Sequence, residues 1–498
     1  MKLKMKMHAH RLKLLAAVAP LALLSACAVG PDYRRPDVVQ PAAYKEAAGW
    51  KTAQPRDAEI RGNWWEAYKD PLLNTLQEQA ATANLSLAQA EAAYRQAQAA
   101  VQSSRSAYFP TLGTSFDVKR SSSGTVNNNQ VTSVGVRGAR TNYSVALDAS
   151  WEADLWGRIR RQVEASSNSA QASAADLENV RLSTQAALAQ NYFQLRALDS
   201  QQQLLDRTLA DYQRSLTLTQ NQYAAGVVAR ANVVQAQTQL KNAQTQALDI
   251  GVQRAQLEHA IALLVGKAPA EFSIAAAPLN ASVPDVPLAL PSALLERRPD
   301  IAAAERRLAA ANAEIGVAKA AYFPSFGLSA NGGYQSSTMA DLLSLPNRFW
   351  SIGPSLALTL LDGGARRAQT AQATAAYDQN VAIYRQTVLT GFQEVEDNLA
   401  ALRILEQEAQ TQDEAVQLAR QSVAIATNQY KAGVVSYLEV ITAQNTALNS
   451  EINAVNILNR RLAASVLLIK ALGGGWHANA EDAALAQDDS HGEHDATR

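Results

Sequence analysis

Apolar and polar positions alternate along four stretches of the chain. Tyr143, Val145, Leu147, Ala149 and Trp151 take turns with Asn142, Ser144, Ala146, Asp148 and Ser150. Upstream, Leu112, Phe116 and Val118 share one parity and Ser115, Asp117 and Lys119 the other. Downstream, Phe326, Leu328, Ala330 and Tyr334 form a third set, and Ile352, Leu356, Leu358 and Leu360 a fourth. Successive side chains of a strand point to opposite faces, so the pattern predicts two hairpins, at about 111–152 and 325–361, each with an apolar and a polar face. Residues 121–140, rich in Ser, Asn and Gly, read as a surface loop. Strands of this kind suit the wall of a transmembrane barrel, and equally a half-buried soluble hairpin.

Other segments carry a helical period. Between Gly157 and Tyr223 neither Pro nor Gly interrupts the chain, which predicts a rod about 100 Å long at 1.5 Å per residue. Ile441, Leu448, Val455, Leu462 and Ile469 recur every seven residues, with Asn445, Ile452, Asn459 and Val466 between them. Alternating steps of four and three are the spacing of a coiled-coil seam. Val416, Ala419, Val423, Ala426 and Tyr430 repeat the steps on the preceding helix. Gly226 and Gly433 stand at the reversals, followed by Val227 and Val434, because a left-handed turn residue is most easily Gly. A soluble antiparallel bundle would satisfy these helices as well.

The pattern occurs twice. Asn221-Gln222-Tyr223-Ala224-Ala225-Gly226-Val227-Val228 returns as Asn428-Gln429-Tyr430-Lys431-Ala432-Gly433-Val434-Val435. Ala107-Tyr108-Phe109-Pro110 returns as Ala321-Tyr322-Phe323-Pro324, and residues 155–161 align with 361–367. So long a period is a domain duplication, not a solenoid repeat. We therefore divide the chain into a leader (1–26), an N-terminal segment (27–69), repeat one (70–266), a Pro-rich linker wrapping the outside (267–298), repeat two (299–473) and a disordered acidic tail (474–498). Asp154 and Gly157, and Asp362 and Gly363, mark where strand passes into helix: Asp caps a helix start and Gly permits the bend. The arginines that follow, Arg158, Arg160, Arg161, Arg366 and Arg367, face headgroups or the tunnel mouth, or form a plain solvated face.

Four strands cannot close in lipid. An open edge leaves backbone groups unpaired in hydrocarbon, at several kcal/mol each. A barrel must therefore be shared between copies, and three copies supply about twelve strands.

The first 13 residues hold five of the 45 basic residues and no acid, and a short apolar run leads to Leu24-Ser25-Ala26-Cys27. That is a secretory signal rather than a membrane helix. It resembles a bacterial lipobox, which implies cleavage before Cys27 and lipid on its sulfur; Ala28 at the next position implies sorting to the outer membrane. Cys27 is the single cysteine, so disulfides and thiolate metal sites are excluded. Beyond the leader the chain is acidic by five charges, which argues against a nucleic-acid partner. No HExxH, P-loop or GxSxG occurs, and the histidines pair with no cysteine, so no catalytic residue, metal site or cofactor is expected.

Several motifs carry a family resemblance: Cys27-Ala28-Val29-Gly30-Pro31-Asp32-Tyr33-Arg34-Arg35-Pro36, Glu296-Arg297-Arg298-Pro299-Asp300-Ile301, Ala304-Glu305-Arg306-Arg307-Leu308, both Ala-Tyr-Phe-Pro segments and the paired Gln-Tyr turns. With these the chain resembles the TolC/OprM-like outer-membrane efflux proteins, in their lipoprotein (NodT-like) branch, from about residue 27 to 475. The resemblance implies an α+β membrane protein. Three copies would share a twelve-stranded barrel, continuous with a helical periplasmic tunnel. Its implied role is the exit duct of a tripartite pump that confers antibiotic resistance. Implied partners are a periplasmic adaptor and an inner-membrane transporter of RND type. It also implies a gate at the periplasmic tip, carried here by Tyr430, Leu438 and Glu439, with Thr442 where the family places an Asp. The turn residues Gly226, Val227, Gly433 and Val434 would meet the adaptor. A duct for type I protein secretion, and a lipid-anchored scaffold without a pore, are the alternatives.

Overall fold

The computed structural model describes residues 29–38, 41, 43–46, 63–122, 139–284 and 297–474. Cys27, residues 123–138 of the expected surface loop, residues 285–296 of the Pro-rich linker and the acidic tail beyond 474 lie outside the described residues.

After a 3-10 turn, Trp64–Tyr68, the order is α1 Pro71–Ala83, α2 Leu85–Ser106, β1 Thr111–Ser121, β2 Arg140–Ala153, α3 Arg158–Ala224 and α4 Arg230–Leu264. Then come α5 Pro299–Ala320, β3 Ser325–Ser336, β4 Arg348–Ala357, α6 Ala365–Lys431 and α7 Tyr437–Ala471. The duplication is visible in the lengths. Helices α2 and α5 each have 22 residues, α3 and α6 each 67, α4 and α7 each 35. One detail of the sequence alignment changes. Helix α3 starts at Arg158 and α6 at Ala365, so Gly157 corresponds to Gly364, not Gly363. The paired arginines align best one position out of frame, whereas the hydrogen bonds Arg161 N to Gly157 O and Ala368 N to Gly364 O fix the correspondence.

Contacts divide the chain into two units, to which α3 and α6 both contribute residues. The first holds the sheet, an antiparallel meander in the order β1-β2-β3-β4. Strand β4 ends at Ala357, so Leu358 and Leu360, expected in the strand, lie beyond it; β3 begins at Ser325, opposite Ala357, and offers them no partner. Residues 29–36 of the N-terminal segment are tied to this unit. Val29 N donates to Trp156 O at 3.1 Å, and Asn312 Nδ2 donates to Pro31 O at 2.9 Å. Three of the arginines after the junctions form ion pairs within the chain. Arg158 pairs with Glu152 at 2.8 Å, Arg161 with Asp32 at 2.9 Å and Glu164 at 2.8 Å, and Arg366 with Asp362 at 2.6 Å. Their charges are paired, and Arg158, Arg160 and Arg367 stay exposed.

The second unit packs the helical hairpins together. Tyr212, Leu216, Leu240, Ala426, Tyr430, Tyr437, Val440 and Ile441 form one buried cluster drawn from all four long helices. Helix α7 is long and apolar enough to pass for a membrane helix by length and composition. Ile441, Leu448, Leu462 and Ile469 along its seam are instead buried within the unit. Each return helix ends under a matching clamp. Asn84 Nδ2 donates to Leu264 O at 2.8 Å, and Arg298 Nη1 to Ala471 O at 3.1 Å. At both places a Gly at positive φ, Gly266 and Gly473, lies where a Cβ would strike the backbone carbonyl of Ala83 or Arg297. Burial of Arg298 is offset by Asp300 and Glu394, each at 2.7 Å. The described part of the linker is held against α3 and α4. Asp199 accepts from Arg196, Arg254 and Ala277 N, while Glu258 accepts from Ile274 N at 2.6 Å.

Candidate functional site

The sheet has two chemically distinct faces. Register alone places Leu112, Phe116, Val118, Tyr143, Val145, Leu147, Trp151, Phe326, Leu328, Tyr334, Ile352 and Leu356 on one. Many of these are open to the surroundings: Leu112 is 74 % exposed, Leu356 69 % and Ile352 65 %. So much contiguous apolar surface is the mark of a membrane or partner contact. The opposite face carries Ser115, Asp117, Lys119, Ser144, Asp148, Ser150, Ser329, Asn331, Ser351 and Ser355. These groups bond sideways across the strands. Asp148 accepts from the Ser115 hydroxyl at 3.1 Å and from the Asn331 amide, and the Thr111 and Ser150 hydroxyls lie 2.8 Å apart. Gly333 lets β2 and β3 come close: a Cβ there would meet Val145 O.

At the junctions, both predicted Asp residues cap helices. Asp154 accepts from Ile159 N at 3.0 Å and Arg160 N at 2.8 Å. Gly157 makes the bend at φ +77°. Asp362 accepts from Gly364 N, Arg366 N and the Arg366 guanidinium, and Gly363 and Gly364 both take positive φ. The Arg366 side chain first, then the two amides, hold the Asp362 carboxyl down at about 2. The repeated Ala-Tyr-Phe-Pro segments receive tryptophans: Trp151 Nε1 donates to Tyr108 O at 2.9 Å, and Trp156 Nε1 to Pro324 O at 2.7 Å. Trp156 also stacks on Phe323 with centroids 4.9 Å apart.

The two helical reversals share one geometry. Val227 N donates to Gln222 O and Gly226 N to Tyr223 O; Val434 N donates to Gln429 O and Gly433 N to Tyr430 O. That is a Schellman motif in each case, with Gly at φ +75° and +73°. Val227 and Val434, 71 % and 72 % exposed, project from the turns. Leu438 and Thr442 lie one turn apart on α7 with Glu439 beside them, all three exposed. Tyr430 is placed elsewhere, in the buried cluster, where its hydroxyl donates to Gln222 Oε1 at 2.6 Å and its ring packs 5.3 Å from Tyr437. Sequence reasoning had not singled out Gln222, Tyr437 or Tyr212. The Gln-Tyr of the duplicated turn was the available signal for the first. Burial pushes the Tyr437 and Tyr212 hydroxyls above their ordinary range. The seam residue Asn445 accepts from Tyr212 at 3.2 Å and bonds Gln239, and Asn459 donates to Gln194 at 2.6 Å. Among the described residues no cluster of His, Cys, Asp or Glu could hold a metal ion.

The model of one protein family, outer membrane efflux protein, matches residues 76–267 and again 290–474, once for each repeat. The chain belongs to that family. Among efflux proteins of known role, it is 31 % identical over 477 residues to the antibiotic efflux pump outer membrane protein ArpC of Pseudomonas putida, covering 93 % of this chain and 96 % of ArpC. It is 30 % identical over 474 residues to the pyoverdine export protein OpmQ of Pseudomonas aeruginosa, covering 94 % and 98 %. The solved outer-membrane channel OprN superposes with a TM-score of 0.82 at 31 % identity, over 90 % of this chain and all of OprN. The open-state MtrE channel of Neisseria gonorrhoeae gives 0.78 at 27 %, over 90 % and 98 %. This efflux protein is thus an outer-membrane channel of a tripartite efflux pump, extending into the periplasm, and the predicted fold class is borne out. A scaffold without a pore and a secretion duct give way to that role.

Proposed function

We propose that three copies of this chain join their four-stranded sheets edge to edge into one twelve-stranded barrel, and their helices into a passive duct for small organic solutes. The single observation that supports this is the sheet itself. It has an apolar face for lipid and a polar face for water, and β1 and β4 each stand at an edge. In hydrocarbon such edges cost several kcal/mol for each unpaired backbone group, so pairing with further copies is the stable arrangement. The duct conducts and does not catalyse. It is anchored by lipid on Cys27 and needs no cofactor. The apolar turn residues Val227 and Val434 are offered to a periplasmic adaptor, which links the duct to an inner-membrane transporter of RND type. Relatives named for antibiotic, toluene and pyoverdine export favour drugs and similar small molecules as cargo.

The tip is closed by rings formed from Leu438, Glu439 and Thr442 of each copy. Three carboxylates facing one axis repel one another and attract cations. Purified protein should have the native mass of three acylated chains and give discrete conductance steps in a planar bilayer. Glu439→Ala should weaken block of that conductance by divalent cations. A monomeric mass or a silent bilayer would refute the duct; unchanged block would remove Glu439 from the ring.

A further inference from the structure

The polar face of the sheet departs from its own pattern at two positions. Register assigns to it the odd-numbered residues of β1, β3 and β4 and the even-numbered residues of β2. Most of these are Ser, Thr, Asn, Gln, Gly or Ala. Phe349 is the one large apolar side chain in the set. Asp148 is the second departure. Of the other acids on this face, Asp117 has Lys119 two residues along the same strand, and Glu152 is paired with Arg158. The neighbours of Asp148 are all uncharged: Gly113 and Asn331 across the sheet, Ala146 and Ser150 along β2.

The strands do not impose these two residues. Thr111 and Ser325 each follow the Pro of an Ala-Tyr-Phe-Pro segment, and they face Ser150 and Ala357. In that frame Asp148 matches Ser355 of the other hairpin, and Phe349 matches Asn142. Register nevertheless brings the pair near one another. Phe349 faces Gly333, which faces Ala146, two residues from Asp148. A strand spacing of about 4.8 Å and a rise of about 3.4 Å per residue put the two Cα atoms about 12 Å apart. Asp148 is exposed and Phe349 half-buried. Gly333 leaves room for the ring to lie along the wall toward Ala146, which is buried. The carboxylate is held in place, because one oxygen takes the Ser115 hydroxyl at 3.1 Å and the other the Asn331 amide. Both donors are neutral, so its charge is not cancelled, and each oxygen keeps a lone pair for a further donor.

We infer that Asp148 and Phe349 form a weak transit site on the duct wall for organic cations that carry an aromatic ring. This rests on the shared-barrel reading above, which turns the polar face to a water-filled lumen, and goes beyond it in giving that lumen a chemical preference. The ring of such a solute packs against Phe349 with centroids about 5 Å apart, and its ammonium donates to Asp148. Both side chains reach into the gap between their Cα atoms. Ring and charge therefore need to be only a few ångströms apart, as they are in a phenethylammonium ion. A neutral aromatic solute gains the stack alone, a small ammonium the charge alone, and an aromatic carboxylate is repelled. Weak binding suits a duct, since a site on an exit path has to be left as readily as it is entered.

The test measures saturation-transfer NMR from the full-length channel in lipid nanodiscs to four matched probes: phenethylammonium, ethylammonium, 2-phenylethanol and phenylacetate. Empty nanodiscs supply the lipid background. Phenethylammonium should bind tightest and phenylacetate weakest. Phe349→Leu, which keeps an apolar side chain opposite Gly333, should weaken phenethylammonium about fivefold and leave ethylammonium as it was. Asp148→Asn should weaken phenethylammonium about threefold, leave 2-phenylethanol as it was and raise phenylacetate to the level of the alcohol. Equal binding of the four probes by the unmodified channel overturns the site, and that arm decides even where a variant fails to assemble. Variants of trimeric native mass that bind phenethylammonium as tightly as the unmodified channel also overturn it. A monomeric mass for the unmodified protein overturns the barrel reading beneath it instead.

Discussion

Asp362 shows how much one side chain can settle. Its carboxylate takes two helix amides and one guanidinium, which hold it at about 2 against an ordinary 3.8. A carboxyl depressed by folding contributes stability above its unfolded value and loses it as pH falls through the folded one. The junction is therefore at full strength above about pH 4 and weakens toward pH 2. We expect Asp362→Asn to flatten that acid limb, read as the temperature at which the assembly dissociates between pH 5 and pH 2; an unchanged limb would show the contribution to be negligible. That Asp was legible in the sequence as a cap because its chemistry is local. Asp32, a partner of Arg161, was not, because it stands 129 positions earlier and only the fold brings it near.

Between elements, contacts repeat with the duplication, though with changed chemistry. Asn84 and Arg298 hold the ends of α4 and α7, one as a neutral amide, the other as a buried cation with two carboxylates. Charged hydrogen bonds contribute about 1.5–3 kcal/mol each, and removing one partner of a buried ion pair costs more than a lost contact. Glu394 is 43 % exposed, so water softens part of that loss. Arg298→Met should destabilise by about 2–3 kcal/mol, measurable as a fall of several degrees in the helical melt. Asn84→Ala, which removes a neutral bond, should cost about half as much. Near the reversals, Tyr430→Phe strands Gln222 and should cost about 1 kcal/mol in the same assay. Helices and strands were readable because periodicity is a property of the chain alone. The fate of Tyr430 was not: the spacing of α6 gives Tyr430 to the seam, the family resemblance gave it to a gate, and the fold puts it beneath the surface that carries Leu438 and Glu439.

At the scale of the molecule, the hairpins and the sheet differ in what each needs to be complete. The hairpins bury their cluster within one copy, whereas the sheet ends on β1 and β4. This difference has a consequence for biogenesis. Helices that close on themselves mature at a rate independent of dilution. A ribbon that can be finished only by its siblings must wait for encounters, and until then it is a template for aggregation that holding chaperones would have to shield. During refolding into lipid vesicles, the far-ultraviolet helical signal should rise at the same rate at every protein concentration. The heat-resistant band on a gel should appear with an order in protein above one, and a first-order appearance would mean that a lone copy can enter the bilayer before it has met another.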